Sequence, residues 1–290
     1  MSNIVITGTS SGFGRAMVET LAADGHTIFA CMRETSARNA NPAQELSKLG
    51  TKGGRVHVVE MDVTSDTSVT LAIEKIVSET GGAIDVLINN AGRLSAGVQE
   101  AYTLDQVKGL FESNVFGLLR VNRAVLPHMR KRGSGLVINT SSIMGRYSLP
   151  CLGVYCATKF AVEALVEAQR DELKAVGIDV VAVEPGAFPT SVADNALWVF
   201  DPDISGAYGS VPQLPQKLGE VLGQLYGSPS SPKPQEVADA VQKLIKTPAG
   251  KRPHRVVVDT FTGAPVDTLN ATHASHRPAV VKAYGMGEVI

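Results

Sequence analysis

Seven short apolar runs separated by longer stretches of helical spacing constrain this chain more than any other feature. The runs are Ile4–Thr7, Thr27–Met32, Val56–Met61, Val86–Asn89, Gly135–Thr140, Asp179–Val183 and Arg255–Asp259. Val86-Leu87-Ile88 and Val180-Val181-Ala182-Val183 are apolar without alternation, which means burial on both faces of a strand. Strands of that kind belong to a parallel sheet covered by helices on both sides. The rhythm therefore predicts a doubly wound α/β fold of about seven strands. With 290 residues, 44% of them hydrophobic, one domain can bury a full core.

Charge and cysteine content remove several function classes. The net charge is −1 and the basic residues are scattered, apart from the helix-end run Arg130-Lys131-Arg132. No footprint for nucleic acid or an anionic membrane is present. Three cysteines, Cys31, Cys151 and Cys156, lack zinc-site spacing, and their odd number argues against a disulfide framework. The histidines, His57 and His128 among them, lack metal-ligand spacing, so no metal is expected. Met1-Ser2-Asn3 leads straight into an apolar strand with no room for a signal peptide, and no apolar run is long enough to span a membrane. Cytoplasmic residence is the expectation.

Two stretches break the strand–helix rhythm. Thr35–Gly54 is polar and turn-rich and predicts a short helix between surface turns. Residues 191–234 are rich in Pro and Gly, hold the apolar group Leu197-Trp198-Val199-Phe200 and show no strand periodicity. A long irregular insertion of this kind predicts a mobile flap beside a binding site.

The chemistry begins behind the first strand, where Gly8, Ser10, Ser11, Gly12, Phe13 and Gly14 form a glycine-spaced turn ahead of a helix beginning near Phe13. Such a turn lets backbone approach a pyrophosphate, and the free N–H groups and dipole of the helix attract its charge. The second strand ends in Cys31-Met32-Arg33 with no carboxylate for ribose hydroxyls. Arg33 offers a planar fork for the extra phosphate of NADP, or else pairs with Glu34 or solvent.

Tyr155 and Lys159 stand four residues apart and share one helix face, where the cation can favour a phenolate. Ser142 directly follows the strand ending at Thr140, and open α/β sheets place ligands at such carboxyl ends. Ser142 can then donate to a carbonyl oxygen beside Tyr155. Cys156 reads as a packed residue rather than a nucleophile.

Taken in order, Thr7-Gly8-x-x-x-Gly12-x-Gly14, Asp62, Asn89-Asn90-Ala91-Gly92, Asn114, Ser142, Tyr155-x-x-x-Lys159 and Pro185-Gly186 with Thr190 resemble the short-chain dehydrogenase/reductase family over about residues 3–190. The resemblance implies a single-domain Rossmann fold and NADP(H), preferred over NAD(H), as cofactor. It implies that Tyr155 exchanges the proton with the substrate oxygen and Ser142 polarises it. Lys159 would hold the nicotinamide ribose and lower the Tyr155 pKa, and Asn114 would position a relay water. By the same resemblance Asp62 and Val63 meet the adenine side, Asn90, Ala91 and Gly92 line the adenosine, and Pro185, Gly186 and Thr190 meet the carboxamide end. Asp62 has a second reading as the cap of the following helix. Asn114, in a helical pattern, is a poor helix former and needs a reason to be there.

Ile143, Met144, Leu149 and Leu152, with Leu197, Trp198, Val199 and Phe200, describe an apolar substrate wall, although the Trp198 stretch could instead pack on the core or on a second subunit. The Phe29–Arg33 and Met129–Gly135 segments are similar to steroid and retinoid dehydrogenases. The expected activity is interconversion of an apolar carbonyl compound and a secondary alcohol. A non-catalytic NADPH sensor and, behind it, a nucleotide-sugar epimerase or dehydratase are the alternatives. The resemblance also implies a homodimer or homotetramer through helices near Leu104–Arg132 and Tyr155–Ala175.

Overall fold

In the computed structural model, which describes residues 1–49 and 55–289, seven parallel strands form one sheet. They are β1 (Asn3–Thr7), β2 (Thr27–Met32), β3 (Arg55–Glu60), β4 (Val86–Asn89), β5 (Gly135–Thr140), β6 (Ile178–Pro185) and β7 (Arg255–Val258), in the order β3-β2-β1-β4-β5-β6-β7. The expected doubly wound single domain is what the chain adopts.

Residue alternation inside each strand divides the core. Ile4, Ile6, Ile28, Ala30 and Ile88 face α1 (Gly12–Ala23) and α9 (Pro234–Lys246), with α2 (Ala40–Ser47) at the edge. Val5, Phe29, Leu87, Val137 and Val180 face α3 (Asp66–Thr80), α5 (Gly117–Arg132) and α6 (Gly153–Lys174). Both faces are dry, which is why the strand sequences carry no polar alternation. The chain leaves β1 toward β2 and β3, then returns to place β4 on the other side of β1. Ile4 pairs with Ile28 on one flank and with Val86 on the other. The carboxyl ends of β1 and β4 thus form the switch point at which such sheets bind ligands.

Two segments differ from their sequence patterns, and a third meets its expectation. The short helix expected in Thr35–Gly54 is α2; residues 50–54 of that stretch lie outside the described residues. The expected helix near Leu104–Arg132 is interrupted: α4 (Leu104–Phe111) and α5 are joined by a π-helical turn, Glu112–Phe116. Residues 191–234 are not irregular. Leu197–Trp198 pairs in parallel with Ser95–Ala96, and α7 (Pro202–Ser205) and α8 (Leu214–Tyr226) follow. Leu214, Leu218, Leu222 and Leu225 space a partly buried stripe along α8, a helical signal masked by the surrounding Pro and Gly.

The last long helix, α10 (Gly263–Ala283), covers the far edge of the sheet beside β7. The Arg130-Lys131-Arg132 run is the last turn of α5, closed by left-handed Gly133, and Arg132 pairs with Asp85 at 2.7 Å. Cations there oppose the negative end of the helix dipole. All three cysteines are free and buried. Among the described residues no helix is long and apolar enough to cross a membrane, and no His, Cys, Asp or Glu cluster could hold a metal.

Candidate active site

The glycine turn and the β4 end meet so closely that side chains are excluded. A Cβ on Gly8, whose φ is +69°, would lie 2.8 Å from Ala91 Cα, and one on Gly14 would collide with the Gly8 carbonyl and lie 2.7 Å from Asn90 Nδ2. Asn90 locks the join by donating from Nδ2 to the Thr7 and Gly8 carbonyls at 3.0 and 2.9 Å. The Asn90 and Ala91 N–H groups donate to Thr7 Oγ1. α1 begins at Gly12, and the Ser11 side chain does not cap it, so the N–H groups of its first turn keep their pull on an anion. Phe13 packs edge-to-face on Phe188 at 5.2 Å, tying this turn to the stretch that runs from Pro185 at the end of β6 through Gly186 to Thr190. The Thr190 side chain reaches to 3.4 Å of the position a Gly12 Cβ would occupy. This cradle of bare backbone at a helix start fits a dinucleotide pyrophosphate.

At the β2 end Arg33 is exposed and makes no ion pair among the described residues, so the pairing with Glu34 is not formed. Asp62 lies past the β3 end. Burial works against its ionisation, but bonds from the Thr64 N–H and hydroxyl at 2.9 and 2.7 Å, with the charges of Arg33 and Arg120, hold the carboxyl below its usual range. Ser65, not Asp62, caps α3. The Val63 carbonyl accepts from Arg120 at 2.6 Å, and its side chain fills the space left by Gly117.

Ser142 sits in extended backbone just past β5, its hydroxyl accepting from the Met144 N–H at 3.1 Å and facing the Pro185 carbonyl at 3.5 Å. Tyr155 and Lys159 project from the first two turns of α6. Burial pushes the Tyr155 phenol up to about 12, with a hydrogen bond to Ser142 working the other way. Burial likewise pulls the Lys159 ammonium down to about 8, against the support of Glu163. Desolvation is the larger influence on the phenol, and the Lys159 ammonium gives its hydrogen bond to the Thr140 carbonyl at 2.9 Å.

Asn114 lies in the π turn, a deformation that recurs at functional sites. Its side chain clamps the Arg93 backbone, accepting from N–H at 2.7 Å and donating to C=O at 2.9 Å, and donates to Thr158 Oγ1 at 3.0 Å. Gly92 opens onto the same space, 3.4 Å from Asn114 Oδ1 and 3.8 Å from Lys159 Nζ at its Cβ position. Four polar residues from three elements thus converge beside a nucleotide cradle, the arrangement required to hold and protonate a carbonyl oxygen.

The short chain dehydrogenase family matches residues 2–197. This chain belongs to that family. It is 40% identical over 192 residues to a 3-ketodihydrosphingosine reductase of Bacteroides thetaiotaomicron, covering 66% of each protein. It is 38% identical over 198 residues to the 17-beta-hydroxysteroid dehydrogenase type 1 of Mus musculus, covering 67% of this chain and 56% of the mouse protein. A solved short-chain dehydrogenase from Streptomyces avermitilis is 31% identical with a TM-score of 0.78, covering 98% of this chain and all of that one. The protein is thus a short-chain oxidoreductase with steroid-dehydrogenase relatives, and solved neighbours of its fold hold NADP or NAD.

The wall around Tyr155 is apolar. Val154, Tyr102 and Leu110 pack with Tyr155, Leu197 and Val199, and Leu152 and Cys156 pack with Met144 and Leu218 of α8. Trp198 and Phe200, by contrast, are exposed, so neither sits in the core.

Sequence reasoning missed two features. Arg38, in the loop after β2, donates to Asn195 Oδ1, and Ser191 Oγ donates to Ser11 Oγ at 2.7 Å, so the segment after Thr190 is strapped across the cradle. The signal available was a second arginine five residues after Arg33. The other is a buried charge cluster around Arg255, behind Lys159, whose members are spread over β6, β7, α6 and α10.

Proposed function

We propose that this short-chain dehydrogenase uses NADP(H) to interconvert an apolar ketone and its secondary alcohol, with Tyr155 as general acid and base. The convergence of Ser142, Tyr155, Lys159 and Asn114 beside the Gly8–Gly14 cradle carries the reading. When bound, the nicotinamide supplies the hydride. A phenol pushed up to about 12 keeps its proton at neutral pH and is ready to give it to the oxygen that becomes an alkoxide during reduction. Ser142 donates to the same oxygen as its charge develops. Lys159, still charged below about 8, holds the ribose hydroxyls and favours the phenolate left behind.

Arg33, without an ion pair among the described residues, takes the 2′-phosphate at the β2 end, with Arg38 five residues on in the same loop, which favours NADPH. The apolar wall of Leu197, Val199, Met144 and Leu218 selects a sizeable hydrophobic carbonyl compound, in keeping with the steroid and sphingoid names of the relatives. Residues 191–234 form the closing wall over that substrate. Exposed Phe116 and Phe160, on the helices expected to pair subunits, support a homo-oligomer, whereas Val162 and Val166 belong to the chain's own core.

Oxidation of NADPH and NADH, followed by absorbance against steroid, retinoid, aromatic and aliphatic carbonyls, tests the reading with Tyr155→Phe as control. NADPH-selective turnover lost in the variant supports it. Cofactor binding without turnover in either direction across the panel shifts the reading to a substrate outside the panel or to the sensor class.

A further inference from the structure

Behind the catalytic residues, on the side away from the nucleotide cradle, two carboxylates are buried against one cation. Glu163 lies one helical turn past Lys159 on α6 and is 3% exposed; Glu184, next to last in β6, is fully buried. Arg255 Nε lies 2.8 Å from Glu163 Oε2 and 3.5 Å from Glu184 Oε1. One N–H cannot serve both, and its hydrogen bond goes to Glu163. The remaining guanidinium contact of Arg255 goes to Glu167 at 2.9 Å.

Apart from Arg146, whose buried Nε has no hydrogen-bond partner among the described residues, the neighbouring charges are engaged elsewhere. Arg277 of α10 is spent on Glu167 and Asp171 at 2.7 and 2.6 Å. His273 of α10 faces Glu167 at 3.4 Å, and burial lowers its proton affinity. Arg146, after β5, contributes charge from a distance. Glu184 has a direct bond only from neutral Asn270, at 2.6 Å. Oε1 of Glu163 and Oε1 of Glu184 have no hydrogen-bond partner among the described residues. Two buried carboxylates at one cation cannot both be ionised cheaply. Burial and the Glu163 charge push Glu184 up to about 8.

The pair is wired to the active site by packing. The Cβ position of Gly145 is 2.9 Å from Glu163 Cγ and 3.1 Å from the Lys159 carbonyl, so only a glycine lets these groups close together. Glu184 precedes Pro185, whose carbonyl faces Ser142.

We propose that Glu184 holds a proton in the folded protein, which leaves the Arg255 N–H to Glu163, and that Glu163 acts as a positioning residue for Lys159. The Glu163 carboxylate, one turn along α6, opposes the desolvation of the buried amine and keeps the Lys159 ammonium charged. The value of that charge for holding ribose rests on the function proposed above, but the proton itself does not.

The test needs no turnover. Infrared spectra of the full chain at neutral pH should show the carbonyl band of a buried protonated carboxylic acid, absent from both Glu184→Gln and Glu163→Gln. Heteronuclear NMR of the lysine side chains, with the Lys159 signal assigned by Lys159→Arg, should show its titration midpoint about one pH unit lower in Glu163→Gln and little changed in Glu184→Gln. Glu163→Asp should restore part of the shift. A wild-type protein without the band, a band that survives in both variants, or a Lys159 midpoint unmoved in Glu163→Gln overturns the proposal. Failure to reduce any carbonyl compound would bear on the active-site reading alone.

Discussion

The Lys159 ammonium lies 6.0 Å from the centroid of the Tyr155 ring and gives its hydrogen bond to the Thr140 carbonyl instead. One turn of α6 separates acid from cation, yet burial acts on both in the direction of neutrality, raising the phenol and lowering the amine. At neutral pH the site therefore presents a protonated phenol beside a charged lysine.

Tyr155→Phe keeps the ring and removes the transferable proton. Turnover should fall by about 10²–10⁴-fold, the usual range for a general acid, while cofactor affinity stays within a factor of two or so. Steady-state kinetics with fluorescence titration of NADPH checks this, and unchanged turnover would remove Tyr155 from the mechanism.

Lys159→Met should abolish turnover and stabilise the fold. A lysine whose folded-state pKa is depressed, here to about 8, is a cost to folding that is present in full below that pH and disappears above its ordinary value of 10.5. At about 1.36 kcal/mol per tenfold change in proton affinity, the relief at pH 7 is at most on the order of 3 kcal/mol. Urea unfolding at pH 7 measures it; a destabilised variant would contradict the desolvation argument.

Glu184→Gln should flatten the alkaline side of the stability profile. Between about 4.5 and 8 the folded protein holds a proton on Glu184 that the unfolded chain has released, so native stability falls as pH rises through that window. The variant has no such proton to hold. Denaturant midpoints at pH 5 and pH 8 should differ less in it than in the wild type, and equal differences would show that Glu184 is ionised throughout.

Arg33→Ala should weaken NADPH by about ten- to a hundred-fold, the worth of a charge-assisted hydrogen bond, and leave NADH nearly untouched. Arg38→Ala should do the same on a smaller scale and also free Asn195, which Arg38 holds. Paired titrations with the two cofactors decide; equal losses for both would return Arg33 to the solvated surface.

Much of the fold was legible because local rules carry it. Continuous apolar runs at β4 and β6 required helices on both faces, and these are the strands with the driest residues. Gly8 and Gly14 announced a close approach, and the structure shows the backbone they approach. Asn114, anomalous in a helical pattern, proved to mark the π turn. The α8 stripe was hidden because Pro and Gly on either side dominated the reading, and its packing partner Met144 lies far away in sequence.

By itself, then, the sequence determined the sheet, the glycine turn and which residues are proposed to react, since strand periodicity, glycine spacing and an i, i+4 pair are all written within a few residues. Only the tertiary structure decided the energetics of those groups. Burial set the acidities of Tyr155 and Lys159, and the Glu163–Glu184–Arg255 cluster joins residues up to 92 positions apart. Desolvation and shared counter-charges depend on what surrounds a side chain in space, and spacing along the chain does not record it.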